Sequence, residues 1–223
     1  MIKWIATIKF RGDLPREACL DHWTGEHARL VSGLEGLEHY VQSHRVTGEE
    51  DLGDAPYDGY ASLWFEDEAA AKRALASPQT AALRADAENF ADLSAMRHFL
   101  AREALMRDVP EREDMLKLVT FNHRLPAMSP EAFQRYWERQ HGQLVLSNFK
   151  ALGRYVQNHA VLSSYQAGAE PHFDGMLEAW LTSFDAFQAG IGTPELEAVR
   201  ADEANFIDPA RFRFMFARDR VFL

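Results

Sequence analysis

The chain contains two copies of one sequence pattern, and this duplication limits the folds that it can adopt. His141 lies 114 positions after His27, and a Tyr-Val-Gln-x-His motif at residues 40–44 returns at residues 155–159. The offset between the copies drifts by only two residues along the whole pattern. Ordered matches of such rare residue types indicate a duplicated unit of about 110 residues and not a solenoid, whose repeats are shorter and more numerous.

Each copy predicts the same order of secondary structure elements. Residues 2–10 alternate like a strand, and residues 129–131 (Ser-Pro-Glu) supply an N-cap and a first-turn proline for the helix that follows. Two further strands, an Ala-rich helical region and a last strand complete a β-α-β-β-α-β order, which is that of a ferredoxin-like unit. We place the two repeats at residues 1–104 and 115–223, with a charged linker near residues 104–114.

The predicted unit has a face that needs a cover. Both helices of a ferredoxin-like unit lie on one side of its antiparallel sheet, so the other side is bare. Two units in one chain can cover each other. We therefore predict an α+β protein whose two ferredoxin-like repeats pack sheet to sheet as an intramolecular α/β barrel.

The composition excludes several classes of function. The chain has 24 Lys and Arg against 34 Asp and Glu, a formal net charge of -10, so we expect no nucleic-acid partner. It contains no run of about 18 apolar residues, so we expect no membrane span. Its single cysteine, Cys19, cannot form an internal disulfide or a multi-thiolate metal site. This cysteine usage fits a reducing compartment, and we expect a cytoplasmic protein.

Titratable side chains fall on faces where apolar residues are expected. Trp137 and His141 share one helix face, and Tyr155, Gln157 and His159 share one strand face. The corresponding residues of the first copy are Trp23, His27, Tyr40, Gln42 and His44. If the strand face looks toward the helix, these groups surround one space that is apolar with a few convergent polar groups, as in small-molecule pockets.

A core of hydrogen-bonded polar residues is the alternative to a pocket. A single histidine under a helix is most often such a core residue. Two imidazoles with a tyrosine and a glutamine per repeat are more than a core needs, because an unpaired buried polar group costs about 1–3 kcal/mol. We therefore favour the pocket, with Asn158 and His123 as further lining residues. Asp86 and Asp202 either cap and meet solvent or orient a pocket histidine.

Motifs for cofactors and metals are missing from the sequence. It contains no glycine-rich phosphate loop and no Gly-x-Ser-x-Gly elbow. Glu138-x-x-His141 has the spacing of a metal motif, but Thr24 stands at the position of Glu138 in the first copy. We therefore assign no metal ligands and expect no cofactor.

The ordered motifs resemble those of the EthD family. The family pattern F..YW...H..L matches from Phe133 to Leu144, RYVQNH matches residues 154–159, FDG matches residues 173–175, and the final D...F pair matches Asp202 and Phe206. The resemblance covers both copies. The first copy departs from it, with CLDHW in place of FQRYW and serine in place of the asparagine, so we favour the second copy if only one pocket works.

The resemblance implies membership of the dimeric α/β-barrel superfamily, as a fused tandem. That superfamily includes polyketide cyclases, lactone isomerases, decarboxylases and cofactor-free oxygenases. The function that we expect is therefore a cofactor-independent acid/base enzyme, a lyase, isomerase or cyclase that acts on a small oxygenated cyclic or aromatic compound in catabolism. The alternatives are a non-catalytic binding protein of such a pathway and a cofactor-free or haem-linked monooxygenase.

Histidine is the residue type that gives this expectation its chemistry, because imidazole exchanges protons near neutral pH. His141 or His159 would be base and acid, Tyr155 and Gln157 would hold a substrate carbonyl, and Trp137 would form an apolar wall. In the first copy the candidates are His27, His44 and Tyr40 as catalytic residues, with Trp23, Gln42 and Asp86 as substrate-binding residues. The partner that we expect is a small hydrophobic or aromatic substrate, and the sequence leaves a homodimer open.

Overall fold

A computed structural model describes residues 1–110 and 115–223 of the chain. The chain divides into two compact units. The first comprises Met1–Arg45, Pro56–Ala101 and Asp219–Leu223, and the second comprises Val46–Ala55 and Arg102–Arg218. Each unit is thus built mainly from one repeat, but the segment Val46–Ala55 of the first repeat belongs to the second unit.

The first unit is a four-stranded antiparallel sheet with helices. Its strands are β1 (Ile2–Ile8), β2 (Leu37–Arg45), β3 (Gly59–Phe65) and the start of β4 (His98–Arg107), and its helices are α1 (Arg16–His22), α2 (Ala28–Val31), α3 (Glu68–Leu75) and α4 (Pro78–Ala87). Strand β1 pairs with β3 and β4, and β3 pairs with β2. The order β2-β3-β1-β4 is that of a ferredoxin-like sheet.

The second unit repeats this arrangement. Its strands are β5 (Lys117–Asn122), β6 (Leu152–Ala160), β7 (Gly175–Leu181) and β8 (Arg213–Val221), and its helices are α5 (Pro130–Tyr136), α6 (Gly142–Asn148), α7 (Phe184–Gly190) and α8 (Pro194–Glu203). Short 3₁₀ segments occupy Gly48–Glu50 and Leu162–Gly168. Strand β5 pairs with β7 and β8, and β7 pairs with β6. The predicted α+β class and its two ferredoxin-like repeats are confirmed.

The predicted linker near residues 104–114 coincides only in part with a connection. Strand β4 runs on to Arg107, so the beginning of that stretch is part of the sheet. Residues 111–114 lie outside the described residues. Among the described residues, no helix has the length and apolar character needed to cross a membrane.

The first helix of each repeat contains a turn that its sequence pattern did not predict. A π-helical turn, Trp23–His27, joins α1 to α2, and a second one, Trp137–His141, joins α5 to α6. The predicted start of the second helix is confirmed, because the Ser129 hydroxyl accepts a hydrogen bond from the Ala132 amide at 3.2 Å. Such π turns are rare and occur frequently at functional sites.

Each π turn presses a tryptophan ring onto the sheet. Trp23 and Trp137 are almost fully buried. A Cβ atom added to Gly59, the first residue of β3, would lie 2.7 Å from Cη2 of Trp23. Gly175, the first residue of β7, lies in the same way under the ring of Trp137. Glycine at these two positions therefore lets the first helix approach the strand closely, which fixes the position of the π turn and of the histidine that ends it.

Candidate active site

A cavity of about 230 Å³ lies in the second unit between its helices and its sheet. The sheet supplies Leu118, Thr120, Leu177, Ala179, Phe214 and Phe216; the helices and their connections supply most of the remaining wall, including His141, Val145, Phe187, Leu196, Val199 and Glu203. Leu52 of the segment Val46–Ala55 also lines it. Most of these side chains are apolar, and a few polar groups reach the space, which is the usual make-up of a small-molecule site.

His141 is the predicted catalytic residue that the structure places on this cavity. It ends the π turn and is 5% exposed. Its Nδ1 lies 2.9 Å from Oδ2 of Asp202. An ionised carboxylate can only accept a hydrogen bond, so Nδ1 carries the proton and Nε2 keeps the lone pair. Burial lowers the pKa of His141 and the bond to Asp202 opposes this only in part, so the ring is neutral near pH 7.

Asp202 orients the imidazole of His141. Its Oδ1 accepts hydrogen bonds from the Tyr136 hydroxyl at 2.7 Å and from Nδ2 of Asn205 at 2.9 Å. Burial opposes ionisation, but the hydrogen bonds from Tyr136, His141 and Asn205 outweigh it and lower the pKa of the Asp202 carboxyl. Of the two interpretations left open for this aspartate, the geometry favours the orientation of a pocket histidine.

Glu203 also lines the cavity, and sequence reasoning missed it. It is half-buried at the end of α8. Burial raises the pKa of Glu203 to about 7; the charge of Arg200 opposes the rise, and that of Asp202 adds to it. The signal was present in the spacing: Leu196, Val199 and Glu203 recur at helical intervals and share one face of α8.

Tyr155, Gln157 and His159 form a hydrogen-bonded row on β6. Nε2 of Gln157 donates to the Tyr155 hydroxyl at 2.7 Å and to the Trp137 carbonyl at 3.1 Å. Oε1 of Gln157 lies 3.1 Å from Nε2 of His159. This strand face does look toward the helix, as the pocket hypothesis required. All three side chains are fully buried, however, and they do not belong to the cavity lining.

His159 is fully buried, and its Nε2 also lies 3.9 Å from Oε2 of Glu138. Its ring centroid lies 4.9 Å from that of Trp137. Burial, assisted by the charge of Arg102, lowers the pKa of His159 to about 3. Its buried Nδ1 has no hydrogen-bond partner in the described part of the chain. The structure therefore does not bring the two imidazoles of the repeat to one cavity: His141 lines it, and His159 packs against the ring of Trp137 and does not line it.

The remaining predicted lining residues lie elsewhere in the second unit. Nδ2 of Asn158 donates to Oε2 of Glu178 at 2.9 Å, and the other oxygen of Glu178 is 2.9 Å from Nζ of Lys117. His123 is buried beside Phe173, with ring centroids 5.5 Å apart. Burial lowers the pKa of His123 to about 4. Trp137 packs among the rings of the core and is not part of the cavity wall.

The first unit repeats the histidine–aspartate pair. Nδ1 of His27 lies 2.7 Å from Oδ2 of Asp86, whose other oxygen is 3.0 Å from Nε2 of His22. His22 occupies the position of Tyr136, and its part in this cluster was not predicted. Ala87 stands where the second repeat has Glu203. The first repeat therefore keeps the oriented imidazole but lacks the cavity carboxyl.

The strand row is also present in the first unit. Nε2 of Gln42 donates to the Tyr40 hydroxyl at 2.6 Å and to the Trp23 carbonyl at 2.9 Å. Nε2 of His44 lies 2.9 Å from Oε1 of Gln42. Burial, with a contribution from Arg220, lowers the pKa of His44 to about 4. The position of Leu118 in the cavity wall is taken by the larger Trp4 in this repeat.

The size and the donors of the cavity restrict what it can hold. Its volume, about 230 Å³, lies below the roughly 300–1,000 Å³ typical of drug-sized ligand sites. Within residues 1–110 and 115–223, no group of three His, Cys, Asp or Glu side chains is arranged to hold a metal ion. The site suits a small, mostly apolar molecule with a polar group that meets His141, Arg200 or Glu203.

Comparison with known proteins places the fold. An anthrone oxidase-like protein is similar at a TM-score of 0.68 and 10% identity, over 99% of this chain and 92% of that one. A protein from Lactobacillus acidophilus NCFM named as a candidate monooxygenase has a TM-score of 0.56 and 9% identity, over 99% of this chain and 94% of that one. A chlorite dismutase mutant from Candidatus Nitrospira defluvii has a TM-score of 0.56 and 13% identity, over 97% of this chain and 90% of that one. At these identities the likeness shows the fold alone.

Sequence comparison gives a family. No protein of curated function matches the chain. The model of the EthD domain matches it twice, at residues 11–94 and again at residues 125–210. These two segments make up well over half of the chain and coincide with the two repeats. The chain belongs to the EthD family and contains two EthD domains in tandem.

Proposed function

We propose that the chain is a cofactor-independent enzyme that moves protons on a small oxygenated cyclic or aromatic compound, as a lyase, isomerase or cyclase does. The observation that carries the proposal is His141, which lines the cavity and is hydrogen-bonded to Asp202. Asp202 holds Nδ1 of the ring at 2.9 Å, which leaves the Nε2 lone pair for the ligand. A neutral imidazole oriented in this way is a general base at neutral pH.

The first step of such a reaction follows from this geometry. Nε2 of His141 takes a proton from a carbon next to a substrate carbonyl: the C–H bond breaks, an N–H bond forms, and the electron pair moves to the carbonyl oxygen. Asp202 stabilises the imidazolium that results. Return of the proton to another carbon completes an isomerisation. Loss of a group on the neighbouring carbon completes an elimination.

The cavity wall supports the choice of substrate class. Side chains from three strands and from the helices make it largely apolar, and the rings of Phe187, Phe214 and Phe216 contribute to it. An apolar wall of this volume selects a small ring compound over a sugar or a nucleotide. The catabolic context remains part of the proposal and rests on the family resemblance alone.

A second candidate is a cofactor-free oxygenase, to which the likeness to an anthrone oxidase-like protein lends support. Its first step is the same proton removal by His141. The carbanion then gives two electrons to dioxygen, which is the oxidant: a C–O bond forms, the peroxide takes up the proton held by His141, and loss of water leaves a new carbonyl. Oxygen uptake with anthrone as the probe separates this candidate from the first, since a lyase or isomerase consumes no oxygen.

Hydrogen exchange tests the proposal without knowledge of the substrate. The full-length protein is incubated in D₂O with cyclohexanone, 2-cyclohexen-1-one and α-tetralone, and loss of the α-proton signals is followed by NMR. We expect exchange that falls by about 10²-fold or more in His141→Gln and is unchanged in His39→Gln, an exposed control in the first unit. Equal exchange in wild type and His141→Gln would remove the proposal. Saturable binding without any exchange would favour a binding protein.

A further inference from the structure

The geometry points to Glu203 as the proton donor that works opposite His141 and restricts the reaction to the second repeat. This inference deepens the proposed function and rests on it. Both residues line the same cavity, one at the end of a π turn and the other at the end of α8. Glu203 directly follows Asp202, so the segment that orients the base also carries the acid.

The Glu203 carboxyl is not used by the fold. Within the part of the chain that the structure describes, Glu203 has no side-chain hydrogen bond or ion pair, whereas the adjacent Asp202 binds three side chains. A half-buried carboxyl without such partners is costly to keep ionised. It is therefore suited to the protonated form, in which it donates a hydrogen bond into the cavity.

The groups around Glu203 come from three elements. Arg200 and Asp202 lie on its own helix, and their charges act in opposite directions on its ionisation. His141 reaches the cavity from the π turn, and Tyr155 of β6 lies within electrostatic reach of Glu203. Burial prevails among these effects and raises the pKa of Glu203 to about 7. An acid with this pKa is available in the same pH range as the neutral imidazole.

With Glu203 as the second group, the source and the destination of each proton in the step are accounted for. As Nε2 of His141 takes the carbon-bound proton, the O–H of Glu203 gives its proton to the carbonyl oxygen, and a neutral enol forms. The reverse step returns a proton from Nε2 to carbon and one from the enol to the Glu203 carboxylate. Neither residue is consumed, and no oxidant or reductant is needed. The ligand class that this pair of residues suits is a neutral ring ketone or its enol, since neither form adds a net charge to the step.

The first repeat lacks this donor. Ala87 occupies the position of Glu203, while His27 and Asp86 keep the base and its support. A base alone must form an enolate in an apolar site, where an uncompensated charge is costly. The second repeat is therefore the one that we expect to turn over substrate.

The test compares Glu203→Gln with Glu197→Gln, an exposed control on the same helix, in the D₂O exchange of the three ketones. We expect Glu203→Gln to lower exchange by about 10²-fold and Glu197→Gln to leave it unchanged. Wild type should show an alkaline limb near pH 7, where Glu203 ionises. The Gln variant should lose that limb, because an amide does not titrate.

A readout besides activity is the carbon NMR titration of ¹³C-labelled glutamate side chains in the full-length protein. One resonance with a midpoint near pH 7 should vanish in Glu203→Gln. Full exchange with the alkaline limb intact in Glu203→Gln, while His141→Gln is inactive, would overturn this inference and leave the proposed function standing. Full exchange in both variants would remove the proposed function as well.

Discussion

The main-chain carbonyl of Trp137 accepts a hydrogen bond from Nε2 of Gln157 at 3.1 Å, and Trp23 and Gln42 repeat the bond at 2.9 Å. Each bond ties a π turn to the neighbouring strand. The Trp137 carbonyl also accepts the Gly142 amide, so the glutamine engages a second lone pair of the same oxygen. The polar face of the strand therefore supports the helix that carries the histidine. Its effect on the cavity is indirect, because it holds the π turn that ends in His141.

Replacement of Gln157 by leucine should destabilise the fold by about 1–3 kcal/mol, because the Tyr155 hydroxyl and Nε2 of His159 lose buried partners. Gln42→Leu should cost a similar amount in the first unit. Guanidinium denaturation measures both. The exposed control Gln188→Leu should change the free energy of unfolding by less than about 0.5 kcal/mol. A loss for Gln157→Leu as small as that of the control would contradict this account.

Asp202→Asn should slow ketone exchange by about 10²-fold or more with little change in KM. An amide can donate to Nδ1, which moves the ring proton to Nε2 and removes the lone pair from the cavity. Nitrogen NMR of the His141 ring reports this change of tautomer directly. Tyr136→Phe removes only one of the partners of Asp202 and should cost less. An unchanged tautomer together with unchanged kcat would show that Asp202 does not position the base.

Leu118→Trp gives the cavity wall the residue that the first repeat has at this position, Trp4, and the larger ring should fill the cavity. Calorimetric binding of α-tetralone should weaken at least tenfold, which corresponds to about 1.4 kcal/mol. The free energy of unfolding should change by no more than about 3 kcal/mol. Leu162→Trp, at an exposed leucine, is the control for adding a large ring. Undiminished binding in Leu118→Trp would place the ligand elsewhere.

Acid should destabilise the protein below about pH 6.5 through its buried neutral histidines. Burial lowers the pKa of His159 to about 3, while the unfolded chain protonates this ring near 6.5. The unfolded state therefore binds the extra proton between these values, so its contribution to stability is complete above about 6.5 and is lost as the pH falls toward 3. The loss is at most about 1.4 kcal/mol per pH unit for this group.

His159→Phe checks this assignment. The free energy of unfolding is measured by denaturation between pH 4 and 7 in wild type and variant. It should vary less steeply with pH in the variant, and the difference in slope should correspond to at most one proton taken up on unfolding. His44 and His123, whose pKa values burial lowers to about 4, contribute to the slope that remains, and so do other buried histidines such as His27 and His141. The variant is less stable at pH 7 because Gln157 loses a partner, but only the slope reports the titration. An identical slope in both proteins would exclude His159 as a contributor.

The repeats, their element order and the candidate base could be predicted from the sequence, because hydrophobic period and copied motifs carry that information. The π turns could not, since Trp-x₃-His is equally compatible with an α-helix. Glu203 was missed because an Asp-Glu pair near a helix end is typical of a solvated surface. The cavity depends on size differences such as that between Leu118 and Trp4. These change the packing of side chains but not the spacing of apolar residues along the sequence.

Leu52 forms part of the cavity wall, although it comes from the segment between the second and third strands of the other repeat. A gene cut at the repeat boundary would therefore encode a second half that lacks one residue of its own cavity wall. Recombination that exchanged whole domains between tandem relatives would meet the same obstacle. A cut at the linker therefore does not give two self-sufficient halves. The ten-residue segment Val46–Ala55, which contains Leu52, has to be kept together with the second half.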